Sequence, residues 1–394
     1  MKTSAFLYPW DVVGDPDAAA RTAALGVRSV TLAAAYHSTR ALTPRHPRHR
    51  IVTAAHAALL YPSALATRDG NGEGRPLRPY AAGSWADGDA HGEASAALRD
   101  AGLEVHTWVV LAHNSRLGAE RPDTSVVNAY GDRYPWAPCI AQPATRAYLS
   151  ALAADAAVRP GASGTELESL GWYGLAHLHA HDKIAGVALG EAAQYLMSLC
   201  FCPDCGAGYL ASGLDADALR DTVRRALEPV WRGTEGAEPD GAWAAVEKLL
   251  GAERAAATRA WRDATARGLQ EETVSAVRAA APDGFQVLLH ADPVSYHCGA
   301  NAGVDPAHIL SVADGVVVPC TGGTSLLAPF ADARADAVVA ANLTVVTGMG
   351  GSPATLAEDA ARAAEQGATE LRLYHAGLAS DGDLDLVRQG LDAL

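Results

Sequence analysis

The chain has 394 residues, 49% of them hydrophobic and 19% charged, so it can bury a large core as one large domain or two smaller ones. Its formal net charge is −14 and its pI about 5.4, which argues against non-specific nucleic-acid binding, because that needs a basic footprint. No run of roughly 18 apolar residues offers a transmembrane helix, and MKTSAFLYPWDVVGD has neither the long apolar region nor the small-residue cleavage site of a signal peptide.

Eight short segments, most of them β-branched or apolar, read as buried strands: Ser4–Tyr8, Arg28–Ala33, Glu104–Leu111, Thr165–Ser169, Phe285–His290, Gly315–Pro319, Leu343–Thr347 and Glu370–Tyr374. Alanine-rich helical patterns separate them, at Asp17–Leu25, Ala94–Ala101, Gln142–Ala157, Glu271–Ala281 and Thr355–Glu365, with a short helix over Pro329–Ala341. The phrases ALGVRSV, DAGLEVHTW and EQGATELRLY each read as helix, glycine stop, strand. Eight such units predict an α/β fold of the (β/α)8 TIM-barrel type, as a single domain over residues 1–394. The alternative, a doubly wound open sheet, lacks its glycine-rich dinucleotide turn after strand one.

Two excursions interrupt the alternation. Residues 67–92, rich in Gly and Pro and carrying Tyr80 and Trp85, predict a long irregular loop over the barrel mouth. Residues 171–281 are too long for one crossover helix and predict a helical insert between strands four and five, with helices over Leu214–Trp231 and Ala242–Ala281.

In this fold the chemistry sits at the C-terminal strand ends. Those ends carry Trp10 and Asp11; Tyr36, His37 and Arg40; His113 and Asn114; Glu168; His290 and Asp292; and Tyr374. Aromatic rings beside carboxylates, His and Asn suit a sugar, whose faces stack on rings and whose hydroxyls need fixed donors and acceptors. Taken singly, each of these residues also fits a helix cap, a turn or a satisfied polar group. Glu166 and Glu168 share one strand face, Glu168 nearer the mouth. A desolvated Glu168 keeps its proton near neutral pH and becomes the candidate general acid.

His177, His179 and His181 alternate in the loop after strand four. In an extended segment they share a face that suits a metal; in a loop leading into a helix, His179 and His181 contact substrate instead. Further on, Cys200-Phe-Cys202-Pro-Asp-Cys205 has the spacing of a zinc knuckle, and Cys139 is the candidate fourth ligand. A cytoplasmic location is expected, and in a cytosolic protein such tight cysteine spacing means metal or redox chemistry more often than disulfides.

The segments APCIAQPATRAYLSALAAD and LCFCPDCGAGYL together resemble the zinc-site pattern of the glycoside hydrolase family 42 β-galactosidases, and less characterised glycoside-hydrolase-like TIM barrels. Cys139, Pro143, Arg146 and Tyr148 match the first part of that pattern, and Cys200, Cys202 and Cys205 the second. The resemblance covers mainly residues 104–210. It implies a structural zinc and puts Glu168 at the place of the acid/base. Two features depart from the family. Leu167, not Asn, precedes Glu168, and strand seven, read as LTVVTGMGG, ends without the family's nucleophilic Glu.

The reading is therefore a glycoside hydrolase acting on a small glycoside or oligosaccharide, with Asp292 or Asp11 as a non-standard second carboxylate. Its partner is a small carbohydrate, with neither nucleic acid nor membrane expected, and a homo-oligomer is left open. The alternatives are a metal-dependent barrel enzyme using His177, His179 and His181, and a sugar-binding barrel without catalysis.

Overall fold

The computed structural model describes residues 1–175, 183–184, 186–234, 238, 240–331 and 336–394. Eight parallel strands form the barrel: β1 (Lys2–Leu7), β2 (Ser29–Tyr36), β3 (Glu104–Val110), β4 (Gly164–Glu168), β5 (Gln286–Asp292), β6 (Gly315–Pro319), β7 (Val338–Thr344) and β8 (Glu370–Tyr374). Each pairs with the next, and β1 pairs with both β2 and β8, so the sheet closes on itself. Closure removes the exposed strand edges that an open sheet would have to protect.

The seventh strand lies earlier than expected. Val338–Ala341 belong to β7 and not to a helix over Pro329–Ala341, and the chain ahead of them makes a 3-10 turn at Ser325–Phe330. The sequence VVAANLT hides this strand, because its alanines read as helix formers. In a barrel strand covered on both sides, small side chains pack as well as branched ones, and tertiary burial overrides the propensity.

Alternate residues point into the barrel and stack in layers. Thr31, Glu166, Val317 and Arg372, from alternate strands, make one layer. Phe6, Trp108, His290 and Asn342 follow, and Glu168 and Tyr374 lie above them toward the C-terminal mouth. The layer around Glu166 is ionic where most barrel cores are aliphatic. Arg372 Nε donates to Glu166 Oε1 at 2.6 Å, Thr31 Oγ1 donates to the same oxygen at 3.0 Å, and both charged residues are essentially fully buried.

Between β4 and β5 the described residues contain helices at Glu191–Met197, Pro203–Ala211, Ala216–Trp231, Ala242–Leu250 and Ala252–Ala280. Ala216–Trp231 buries Leu219, Val223, Leu227 and Val230 along one stripe, and the Asp215 carboxylate caps its start by accepting from Ala218 N at 2.7 Å. The expected continuous Ala242–Ala281 helix is broken at Gly251, where φ is +79°, a conformation that favours glycine.

The 67–92 excursion is irregular and stapled down. Tyr80 is fully buried and its hydroxyl donates to Glu120 Oε2 at 2.8 Å, while the Asn71 side chain bridges both polar groups of the Arg78 backbone. No helix among the described residues is long and apolar enough to cross a membrane.

Candidate active site

Glu168 closes β4 at the barrel mouth. Its side chain is directed inward by strand alternation, and Trp108 Nε1 on β3 donates to its Oε2 at 2.7 Å. Burial raises the Glu168 carboxyl above its ordinary range and outweighs the opposing His290 and Trp108 contacts. With Oε2 engaged by the indole N–H, Oε1 is the oxygen left to carry a proton when the group is neutral. Immediately after it, Ser169 adopts φ +59°, which is rare outside glycine, and is held there by Ser169 N donating to Ala300 O and Ala112 N donating to Ser169 O. Local strain of this kind is maintained only where the surroundings over-determine it.

Glu166, one layer deeper, has the opposite character. Burial pushes its pKa up, but the Arg372 charge and His290 bring it down to about 2, so it is a carboxylate throughout the physiological range. It is the counter-ion of Arg372. Glu166→Gln removes that charge and leaves Arg372 with Glu370 alone, at 2.8 Å. Breaking a buried pair from one side costs about 3–5 kcal/mol, and the expected loss is read as a lower urea midpoint at pH 7. An unchanged midpoint would show that Arg372 does not need Glu166.

A chain of rings runs from the buried barrel interior at Phe6 and Trp108 up to the mouth. Tyr374 and Phe6 lie 5.5 Å apart, Phe6 and Trp108 4.8 Å, Trp108 and Tyr36 4.6 Å, Tyr36 and His37 4.2 Å, His37 and His113 5.0 Å, and His113 and Tyr173 4.4 Å. Glu168, Tyr36, His37, His113, His290 and Tyr374 are thus brought into one neighbourhood. Tyr8, Trp108 and Tyr173 join them without having been singled out in the sequence. Tyr8 and Trp108 could have been found by extending strand alternation inward from Glu168's neighbours.

Other candidates have different surroundings. Asn114 caps the helix Ser115–Glu120, accepting from Leu117 N and donating to the Tyr148 hydroxyl. Arg40 is exposed on a β-hairpin, Thr39–Leu42 with Ile51–Ala54. Asp11 caps the turn after β1 by accepting from Tyr8 N at 2.8 Å, and lines a small cavity with Arg45 and His46 between barrel and outer layer. Burial raises its pKa to about 7 against the Tyr8 amide and the Arg45 charge. Trp10 stacks on Tyr8 at 4.5 Å, just outside the mouth. His177, His179 and His181 lie outside the described residues.

Asp292 ends β5 in a setting that the sequence did not disclose. Its Oδ1 accepts from Val294 N at 2.8 Å and its Oδ2 from His297 Nδ1 at 2.9 Å, while His297 Nε2 lies 3.6 Å from Glu191. Burial would lower the His297 pKa, but the hydrogen bond to Asp292 and the two carboxylate charges outweigh it and the net shift is upward. These side chains line a pocket of about 250 Å³ with Tyr195 and Tyr296.

Cys139, Cys200, Cys202 and Cys205 come together, fully buried, with all four Sγ atoms within 4.8 Å of one another. Cys139 Sγ lies 3.6 Å from the sulfurs of both Cys202 and Cys205. A disulfide would need about 2.05 Å. Four thiolates around one metal at about 2.3 Å stand about 3.8 Å apart in a tetrahedron, so the cluster fits a metal ion. Val127 N donates to Cys200 Sγ at 3.4 Å, the outer support that such sites carry.

No family model and no curated protein sequence matches the chain. Solved structures do match its fold. The α-L-fucosidase isoenzyme 2 from Paenibacillus thiaminolyticus is 11% identical with a TM-score of 0.57, covering 100% of this chain and 49% of its own. The β-amylase catalytic domain from Paenibacillus polymyxa is 10% identical with a TM-score of 0.55, covering 99% of this chain and 97% of its own. A GH42 β-galactosidase from G. stearothermophilus is 12% identical with a TM-score of 0.52, covering 100% of this chain and 56% of its own. The chain therefore spans about half the length of the fucosidase and galactosidase structures. These likenesses establish the barrel as one shared with glycoside hydrolases.

Proposed function

We propose that the chain is a carbohydrate-active enzyme, a glycoside hydrolase acting on a small glycoside or oligosaccharide. The observation that carries this reading is Glu168: a buried carboxyl with a raised pKa, held by Trp108, at the end of β4 inside an aromatic mouth. A sugar ring stacks on that wall, and Glu168 donates its proton to the departing glycosidic oxygen. Asp292 is the second carboxylate. It stands on the neighbouring strand, two residues beyond the ladder position opposite Glu168, about 8 Å away between Cα atoms given strand spacing and rise. His297 fixes its orientation, and Asp292 activates water or attacks the sugar carbon directly.

Asp292→Asn is expected to lower kcat on nitrophenyl glycosides about a hundredfold or more, with KM little changed. Unchanged kcat would take the role from Asp292. A second reading, sugar binding without turnover, draws on β7: its inward residues near the mouth are Asn342 and Thr344, and it carries no carboxylate at its corrected position either. Saturable binding with no turnover over a glycoside panel would establish it.

We take the metal at the four cysteines to be zinc, because an all-thiolate tetrahedral set suits it. A cytoplasmic setting suits a protein whose cysteines are all unpaired.

A further inference from the structure

Arg262, on the helix Ala252–Ala280, is only 2% exposed. Its guanidinium donates to Ser198 O from Nη1 at 2.8 Å and to Cys298 Sγ from Nη2 at 2.8 Å, and its Nε has no acceptor. Among the described residues no carboxylate pairs with it. The rings of Trp172 and Tyr195 lie over it, at 4.8 and 5.2 Å, and ring faces attract a cation without cancelling its charge. Burial would lower the Arg262 pKa, but Cys298, Tyr195 and Tyr209 outweigh it and the net shift is upward, so the guanidinium stays charged. A buried cation needs a counter-charge. Of the two acceptors that Arg262 touches, only the Cys298 sulfur can supply one.

The surroundings of that sulfur suit a reactive thiol. Of the six cysteines, Cys298 alone is not buried, and it lines the pocket of about 250 Å³ that also holds Asp292 and His297. Reactive cysteines sit in such electropositive, partly exposed places, whereas buried ones are inert. Cys320 is the contrast: burial pushes its thiol up to about 12. The phenols of Tyr134 and Tyr195, both near Cys298, are also raised by burial to about 12 and are neutral at pH 7. Asp292 and Glu191 line the same pocket and oppose a further anion, but His297 stands between them, and Glu191 is 61% exposed and screened by solvent. Arg262 touches the sulfur directly.

We infer that Cys298 is a thiolate paired with Arg262 and a site of oxidative modification by hydrogen peroxide entering this pocket. The sulfur attacks one peroxide oxygen, and an S–O bond forms as the O–O bond breaks. The departing hydroxide takes up a proton from solvent. The sulfur is oxidised by two electrons to a sulfenic acid, and the peroxide is reduced to water. This chemistry is independent of the hydrolase reading and is read without turnover. Alkylation of the full-length chain by iodoacetamide is followed at Cys298 by peptide mass spectrometry from pH 6 to pH 10. A free thiol of pKa about 8.5 is only about 3% ionised at pH 7, and its rate climbs with pH up to that value. At Cys298 the rate is expected to be nearly flat between pH 7 and pH 9. Arg262→Met is expected to restore the climb and to slow labelling at pH 7 about tenfold, the loss of thiolate being partly offset by a stronger nucleophile. Arg262→Lys, which keeps the charge, should slow it less. Dimedone added with hydrogen peroxide at pH 7 is expected to tag Cys298 in the wild-type chain and to tag it less in Arg262→Met. A rate at Cys298 that climbs through pH 8–9 like that of a free thiol, or no dimedone adduct on Cys298, overturns the assignment. Should Arg262→Met fail to fold, the wild-type pH profile and adduct decide it by themselves.

Discussion

Glu168→Gln is expected to lower kcat by about 10²–10⁴, the usual worth of a positioned general acid. The deficit should be largest for sugars with poor leaving groups and smallest for dinitrophenyl glycosides, which depart without a proton. Gln keeps the shape of the neutral acid and can still accept from Trp108 Nε1, so the fold has no reason to loosen. The pH dependence gives an independent check. Burial raises the folded pKa of Glu168, above the ordinary Glu value of about 4.3. A raised pKa means that the folded chain holds the proton better than the unfolded one. Its contribution to stability is complete below the unfolded value and is lost as pH rises through the folded value. Activity that needs the proton falls over the same upper range. The alkaline limb of kcat and this part of the stability loss should therefore vanish together in Glu168→Gln. Unchanged turnover in the variant, or an alkaline limb that persists unaltered in its residual activity, would remove Glu168 from the reaction.

Glu168 was legible in the sequence because it ends a short strand in an acidic pair, and strand alternation alone places the pair on one face. Its environment was less legible. Trp108 lies in the middle of EVHTWVV, and only the pairing of β3 with β4 brings its indole to the carboxyl. Glu166 and Arg372 are 206 positions apart, and their pairing is a product of the register between eight strands, not of any local pattern. β7 was displaced because Val-Val-Ala-Ala carries no periodicity that separates a buried strand from a helix. Asp11 and Asn114 were read correctly as lying at strand ends, but both serve as caps, a use that sequence allows at any Asp or Asn. His297 was missed because its meaning comes from Asp292 and Glu191, the latter supplied by the helical insert.

Cys205→Ser is expected to remove the zinc proposed at the four cysteines and, with it, more than about 4 kcal/mol of stability, the range reached when a structural metal is lost. The thiols in the protein without metal explain the size of the effect. Hydrogen bonding from Cys139, Cys200 and Cys205 holds the Cys202 thiol well below its usual range, while contacts with Cys200 and Cys202 push Cys139 well above it. Burial and crowding thus resist four thiolates together, and a divalent cation is what allows all of them to deprotonate. The loss should spread to the mouth. Cys139 directly follows the strand Arg133–Pro138, paired with Ser125–Val127, and Phe201 N donates to Val127 O at 2.7 Å, so a metal held by the four cysteines would clamp this hairpin. The hairpin carries Trp136, whose carbonyl accepts from His113 Nδ1 at 3.1 Å and whose indole donates to Gly174 O at 2.9 Å. Releasing the clamp frees the wall of rings that holds His113 against Tyr173 and His37. A chelator or Cys205→Ser is therefore expected to raise KM before the barrel melts, with one zinc per chain lost in metal analysis. Cys139→Ser should match it in both readouts, because Cys139 is the only ligand on the hairpin side. Full zinc occupancy in Cys139→Ser would mean that the hairpin is not clamped by the metal, and the coupling between the cysteines and the mouth would fall with it.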